Sequence, residues 1–443
     1  MHSDPNLRSE FRRALDVVTP PAPWLPTNVR EKLRQERRKG TWRAGAWLPV
    51  IVVRLPRSSQ RMAAAALIVV LAAAALGVFL VAHRPVNQSV PAGVGPPSGT
   101  IVFGRVNPNG DEYLFKMRAD GTGETSLLAT PALCLPRLTA VENCGVQRSH
   151  KGDRLLLGAS DPTPGQKRVT TATIRADGSG YTVLPLDSPG LNLGWGAWSQ
   201  DDSRIAFDGW DDGDASRNGI YTADAADGRN RRRVTNSGLA HDIPISYAPD
   251  GSKILFWRGP ESSQGTGQGQ LFVVGIDGSR PTQVSPPYTT VGHADIAVGY
   301  WSPDGTQITF AATVDTGRSA VFVAAGDGTH AKQITAWGAR TTVARWSPTG
   351  DWIVFDNYSG SSQTLFLIHP DGSGTKAISS VGGVCCSIYG PVWSPDGKRL
   401  LFGYGPNSSY TGDLWTVLLD GSHLTQLTHT LASLADVGWS AAT

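Results

Sequence analysis

A five-residue phrase, Trp-Ser-Pro-Asp-Gly, returns along this chain at nearly constant intervals, each time followed by a short apolar run. The clearest copies begin at Trp301 (WSPDGTQITF) and Trp393 (WSPDGKRLLF), with close variants at Trp198, Tyr247 and Trp346. A degenerate copy begins at Arg148 and a truncated one at Trp439, so that successive starts lie 50, 49, 54, 45, 47 and 46 residues apart. Between them, an Asp-Gly pair follows a second apolar run at Asp120, Asp177, Asp227, Asp277, Asp327, Asp371 and Asp420. Asp-Gly suits a tight hairpin because both residues tolerate positive φ. A period of this size decides the architecture before any single element does.

Each period holds four short strands: one entering at the Trp, one like ITF (308–310), one like VFVAA (321–325), and one after Asp-Gly, like KQIT (332–335). Four antiparallel strands per repeat of about 45 residues are expected to form a propeller blade. The composition agrees, with 51 Gly, 30 Pro and 14 Trp, and charged residues at only 17%. The first unit, from Gly99, has no Trp strand before it, and the last Trp strand has no partner after it. Joined, they complete one blade from about 99–128 and 434–441, which closes the ring without leaving an unpaired edge. The expected fold is therefore all-β: a seven-bladed propeller of four-stranded antiparallel blades, preceded by one transmembrane helix.

The WSPDG-x-x-I-x-F run with its following Asp-Gly turn resembles the TolB-like β-propeller repeat family over residues 99–443. TolB itself carries a small α/β domain before its propeller and partners envelope proteins. A membrane anchor is expected in that place here, so TolB's role does not carry over. Related propellers precede the hydrolase domain of prolyl oligopeptidase-like enzymes, but no such domain is expected after the last blade here. The repeated Trp, Ser, Pro, Asp and Gly are read as structural, since a residue needed once per blade serves the blade.

Residues 62–82 (MAAAALIVVLAAAALGVFLVA) contain no charge. As a helix they would span about 30 Å, the thickness of the hydrocarbon layer. The preceding segment, 1–61, holds 13 Lys/Arg against 5 Asp/Glu. That bias predicts a cytoplasmic N-terminus and an external propeller, single-pass in the cytoplasmic membrane, with an uncleaved anchor favoured over a signal peptide because the leader is long. Residues 83–98, rich in Pro and Gly, read as a linker. The remaining chain carries an acidic excess, which argues against nucleic acid as a partner of the propeller.

Function is expected where the repeat varies, on loops at the channel mouth. Nine positions before each repeat Asp, at the start of the innermost strands, stand Glu142, Asn192, His241, Asp295, Arg340, Ser387 and Ser433, a polar ring of candidate ligand-binding residues. His241, Asp242, His293 and Asp295 fall on neighbouring blades and form a candidate divalent-metal set, since imidazole and carboxylate are both suitable ligands. Related propellers among sugar-cleaving lyases hold a metal with histidines at such a place. No cofactor is otherwise expected. Asp212, Asp214, Ser216 and Asn218 alternate like calcium ligands, but without the glycine and glutamate of such a loop, and read as a plain hairpin. Cys134 and Cys144, in the connection between blades one and two, are expected to pair if the domain is external. Cross-pairing with Cys385 and Cys386, between blades six and seven, is the alternative.

No Gly-x-Ser-x-Gly, HExxH or Walker motif occurs. The favoured reading is a non-catalytic binding or scaffold module for an extracytoplasmic protein, peptide or cell-wall glycan. The alternatives are a glycan lyase or hydrolase working at the channel mouth, and a transmembrane sensor signalling through a cytoplasmic partner of residues 1–61.

Overall fold

The computed structural model describes residues 95–106, 112–127, 147–161, 163, 168–186, 188–260, 269–291, 299–314, 317–338, 341, 343–359, 362–379, 387–405, 411–430 and 432–441. The expected cytoplasmic segment, transmembrane helix and most of the linker lie outside these residues. Among the described residues no helix is long and apolar enough to cross a membrane.

Twenty-eight strands build the described part, in five four-stranded sheets and one eight-stranded sheet. They make seven blades. Blade one joins Ala432–Ser440 to Thr100–Val106, Glu112–Arg118 and Thr125–Ser126. Blades two to seven then follow in order over 147–183, 191–233, 240–283, 299–333, 344–379 and 387–426. Blade five is representative: an inner strand Gly299–Trp301, then Gln307–Thr313, Ser319–Ala325 and an outer strand Lys332–Gln333, each antiparallel to the last. The outer strand is two residues long in six of the blades, which leaves little free edge for another chain to pair with.

Cross-strand aromatics explain why the I-x-F run recurs. Phe103, Phe256, Phe310 and Phe355 each sit directly opposite a second aromatic: Phe115, Phe272, Phe322 and Phe366. The paired rings stack with centroids 5.3–5.8 Å apart. Such a pair contributes about 0.5–1.5 kcal/mol beyond its burial.

The cores lie between blades. Seven apolar clusters occur among the described residues, each drawing on two neighbouring blades. Trp198, Trp301, Trp346, Trp393 and Trp439 are all buried in these clusters and face the preceding blade. The indole also donates across the interface: Trp198 to the Gln147 carbonyl (3.1 Å), Trp346 to Tyr300 (3.2 Å) and Trp393 to Arg345 (3.2 Å). A Trp thus fills the wedge and satisfies a neighbour's backbone acceptor at once.

The Ser and Asp of the phrase order the turn after it. Ser199 Oγ accepts from Arg204 N (2.9 Å) and donates to Asp201 (2.7 Å), while Asp201 accepts from Ser203 N (3.0 Å). Ser302 and Ser394 repeat the pattern. The later Asp-Gly turns differ from expectation in one respect. Of the Asp-Gly pair only the Gly is left-handed, at φ 85° in Gly121 and 87° in Gly328. The Asp instead accepts the N–H two residues on, as Asp120 does from Thr122 (2.9 Å). The side chain caps the turn, so the Asp backbone has no need of a strained conformation.

Ring closure occurs as the sequence implied. Thr100 pairs with Ser440, Ile101 with Trp439 and Val102 with Gly438. Trp439 donates to the Ser98 carbonyl at 2.9 Å. Arg148, standing where most blades carry Trp, donates to Ser440 Oγ (2.5 Å) and more weakly to the Thr100 carbonyl (3.4 Å). The degenerate repeat thereby keeps the inter-blade donor that an indole supplies elsewhere.

Candidate functional site

Antiparallel strands give the propeller two unlike faces. The WSPDG and Asp-Gly turns share one, the turn face. The links between second and third strands, and those from blade to blade, share the other, the connection face, where the candidate ring was expected.

Asn192 opens the inner strand of blade three and is 6% exposed. Its Oδ1 accepts from Val169 N of blade two (2.9 Å), and its Nδ2 approaches the Gly190 and Trp210 carbonyls at 3.4 Å. Asn192 therefore ties two blades together with its polar atoms already in use. His241, at the equivalent place in blade four, is half-buried opposite Gly259. Asp242 beside it is 2% exposed and takes a two-pronged contact from Arg258, Nε to Oδ1 at 2.5 Å and an amino group to Oδ2 at 2.6 Å. Thr235 Oγ1 adds a third bond at 2.6 Å. The bonded Asp242 carboxylate holds the Arg258 guanidinium above its usual range, against the opposing effect of burial. A divalent ion at Asp242 would have to displace this pair.

Ser387 begins the inner strand of blade seven, paired with Gly405, and Ser433 pairs with both Val106 and Thr411 where blades seven and one meet. Glu142, Asp295, Arg340 and His293 lie outside the described residues, as do Cys134, Cys144, Cys385 and Cys386. Among the described residues no group of three or more His, Cys, Asp or Glu is placed to hold a metal ion. The 212–218 loop uses its oxygens internally. Asp214 caps a short 3-10 turn (Ala215–Arg217) by accepting from Ser216, and Asn218 accepts from Asp211 N at 2.9 Å, as a plain hairpin loop would.

Sequence reasoning missed the Asp242–Arg258–Thr235 lock. Its hydroxyl member recurs, however, after the apolar residue that follows the outer strand in blades three, four, five and seven. Thr235, Ser285, Thr335 and Thr428 accept from a backbone N–H within the third strand of their own blade, those of Ile220, Leu271, Val321 and Leu414, at 2.8–3.0 Å. The recurrent Val/Ile/Leu-Thr/Ser pair was the available signal. The connection face also carries two exposed large apolar side chains, Leu239 (81%) and Tyr288 (65%), on the loops either side of blade four.

Residues 261–443 match the TolB beta propeller domain family. The Tricorn protease homolog 1 of Streptomyces coelicolor is 32% identical over 129 residues, 29% of this chain and 11% of that protein. An uncharacterized protein of Agrobacterium fabrum is 26% identical over 197 residues, 41% of this chain and 57% of its own length. The chain thus spans well under two thirds of both curated relatives. Among solved structures, a puromycin hydrolase variant is similar with TM-score 0.53 and 16% identity, over 78% of this chain and 54% of that one. At that identity the likeness is one of fold. The chain is a seven-bladed β-propeller with one repeat running through every blade, and over residues 261–443 that repeat is similar to the TolB beta propeller domain family.

Proposed function

We propose that this chain is a non-catalytic binding module, held at the outer face of the cytoplasmic membrane by residues 62–82, that engages a protein, peptide or cell-wall ligand over its connection face. One observation carries the reading. The two most exposed large apolar side chains among the described residues, Leu239 and Tyr288, lie on that face and flank one blade. Meanwhile the polar groups of Asn192 and Asp242 are committed within the fold, Asn192 to Val169 of blade two and Asp242 to Arg258 of its own blade and Thr235 of blade three. A surface that exposes apolar loop residues above a committed polar layer suits adhesion better than turnover.

The test is crosslinking capture from intact membranes with the full chain and with Leu239→Ser/Tyr288→Ser. The reading expects an extracytoplasmic partner that the double variant loses at least tenfold, at unchanged melting temperature. Turnover of a glycan or peptide by purified protein, with capture unaffected, would move the chain to the lyase or hydrolase reading. A partner found only through residues 1–61 would move it to the sensor reading.

A further inference from the structure

Blade four breaks the repeat at two adjacent positions. Tyr247 stands where five blades carry Trp, and Ala248 where the other six carry Ser. The second break changes the surroundings of a nearby carboxylate. In blades three, five and seven the Ser of the phrase donates its hydroxyl to the Asp two residues on: Ser199 to Asp201 (2.7 Å), Ser302 to Asp304 (2.5 Å) and Ser394 to Asp396 (2.6 Å). Ala248 has no hydroxyl to give. Asp250 is left with Ser252, whose N–H goes to Oδ1 (2.9 Å) and whose single hydroxyl proton lies between Oδ1 (2.7 Å) and Oδ2 (2.8 Å). The carboxylate therefore keeps an acceptor position that the repeat fills elsewhere. Asp250 is exposed, and it borders a cleft of about 700 Å3 between blades three and four on the turn face.

The cleft separates its charges. Asp201 and Asp250 stand at its inner end, on the turns between first and second strands, and Asn230, Arg232 and Ile276 at its outer end, by the turns between third and outer strands. Two strand spacings, about 10 Å, divide the two ends. Asp201 is held down to about 2, chiefly by the Ser199 hydroxyl, and Asp250 below its usual range by Ser252, with Lys253 contributing from outside the lining. Both are anions at neutral pH. Arg204, between the ends, is spent on Asp224 (2.7 Å), the Asn230 carbonyl (3.2 Å) and the buried Tyr247 phenol. Arg232 gives one amino group to the Asp277 carbonyl (2.7 Å), while the Asp277 carboxylate takes the Ser279 N–H (3.0 Å). The rest of the Arg232 guanidinium has no partner among the described residues. Two anions thus line the cleft against two cations, with no net sign but with an open acceptor at one end and open donors at the other. Complementarity to such a lining belongs to a dipole, not to a net charge. We propose that this cleft binds a short peptide as its zwitterion, the ammonium on Asp250 and the carboxylate on Arg232, with an aliphatic side chain against Pro249 and the 40% exposed Ile276. Three extended residues span about 10 Å, which matches the separation of the two ends. This site lies on the face opposite Leu239 and Tyr288, so it stands or falls independently of the binding surface proposed above.

The experiment is titration of the full chain with Ala-Leu-Ala, its N-acetyl form, its C-terminal amide and N-acetylglucosamine. The free peptide should bind about tenfold tighter than either blocked form, as loss of a charge-assisted bond implies. Asp250→Asn should weaken the free peptide by the same factor and leave the acetylated one unchanged. Arg232→Gln should weaken the free peptide likewise and leave the amide unchanged. Ala248→Ser restores the repeat and gives Asp250 its missing donor, so it should weaken the free peptide several-fold at unchanged melting temperature. Asp250 and Arg232 are both exposed, so their variants test the site even if Ala248→Ser destabilises blade four. Equal affinity for free and blocked peptides, sensitivity to one end alone, indifference to the Asp250 and Arg232 substitutions, no binding up to millimolar concentration, or tighter binding of N-acetylglucosamine would each overturn the proposal.

Discussion

The turn carboxylates are the most numerous titratable groups with a common environment. Asp120, Asp177, Asp250, Asp277, Asp327, Asp371 and Asp420 are all held below the usual carboxylate range by hydrogen bonds from the residue two positions on, and Asp304 first by the Ser302 hydroxyl and then by Thr306. Asp201 is lowered to about 2, chiefly by the Ser199 hydroxyl and then by Ser203. Because these folded values lie below the unfolded ones, their stabilisation is present above the ordinary value of 3.8 and lost as pH falls toward 2. Unfolding midpoints in urea should be flat from pH 7 to 5, then fall steeply between pH 4 and 2. Asp201→Ala should flatten part of that fall and cost about 1 kcal/mol at pH 7. A variant whose acid limb matches the parent would show that the Ser199–Asp201 bond is not what stabilises the turn. The Trp positions test a different term. Trp393→Phe keeps most of the ring but strands the Arg345 carbonyl it now satisfies. It should lose about 1–2 kcal/mol in denaturant midpoints, against about 3–5 for Trp393→Ala.

Among elements, the strand that closes the ring carries most of the topology. Gly99 precedes it at φ 105°, and a Cβ there would stand 1.9 Å from the Ser440 carbonyl oxygen. Gly99→Ala therefore combines an unfavourable backbone with a clash against backbone that cannot move without breaking the Thr100–Ser440 pair. A loss of roughly 3 kcal/mol is expected, together with raised hydrogen exchange at Ile101 and Trp439 ahead of the other blades. Uniform exchange across all seven blades would mean that closure is no weaker than any other interface. This closure was legible in the sequence, because a leading unit without a Trp strand and a trailing Trp strand without a unit have one economical solution. Blade number and strand order were legible for a related reason: every blade needs the same wedge filler and the same turns, so the pattern is written many times. The candidate site was far less so. Asn192 and His241 occupy equivalent places in neighbouring blades, yet Asn192 is an inter-blade tie through Val169. A polar residue near a loop reads the same in sequence whether its atoms face a ligand or a neighbouring backbone. The Asp242–Arg258 pair joins residues 16 apart on two strands with no fixed spacing to announce it.

For the whole molecule the decisive question is whether residues 62–82 anchor it and on which side of a membrane the propeller would then stand. Residues 1–61 carry 13 Lys/Arg and 5 Asp/Glu, immediately before a 21-residue stretch without charge, and only Arg84 follows closely. Positive charge resists translocation, so that asymmetry favours retention of the leading segment inside and export of the chain beyond residue 82. A reporter active only outside the cytoplasm should work when fused at Thr443 and fail when fused after Ser59. The same location determines the cysteines, since thiols persist inside and oxidise outside. Cys134 and Cys144 are ten residues apart, and a bond between them would close a short loop worth roughly 3 kcal/mol on the chain-entropy argument. Non-reducing peptide maps of the full chain should therefore recover a 134–144 linked peptide. Because blade one lies between blades two and seven, a link from either residue to the 385–386 segment would instead staple the connection face across the ring closure. Four free thiols together with an inactive Thr443 fusion would place the propeller in the cytoplasm and remove the membrane's outer face from the proposed function, whereas four free thiols with an active fusion would refute only the pairing.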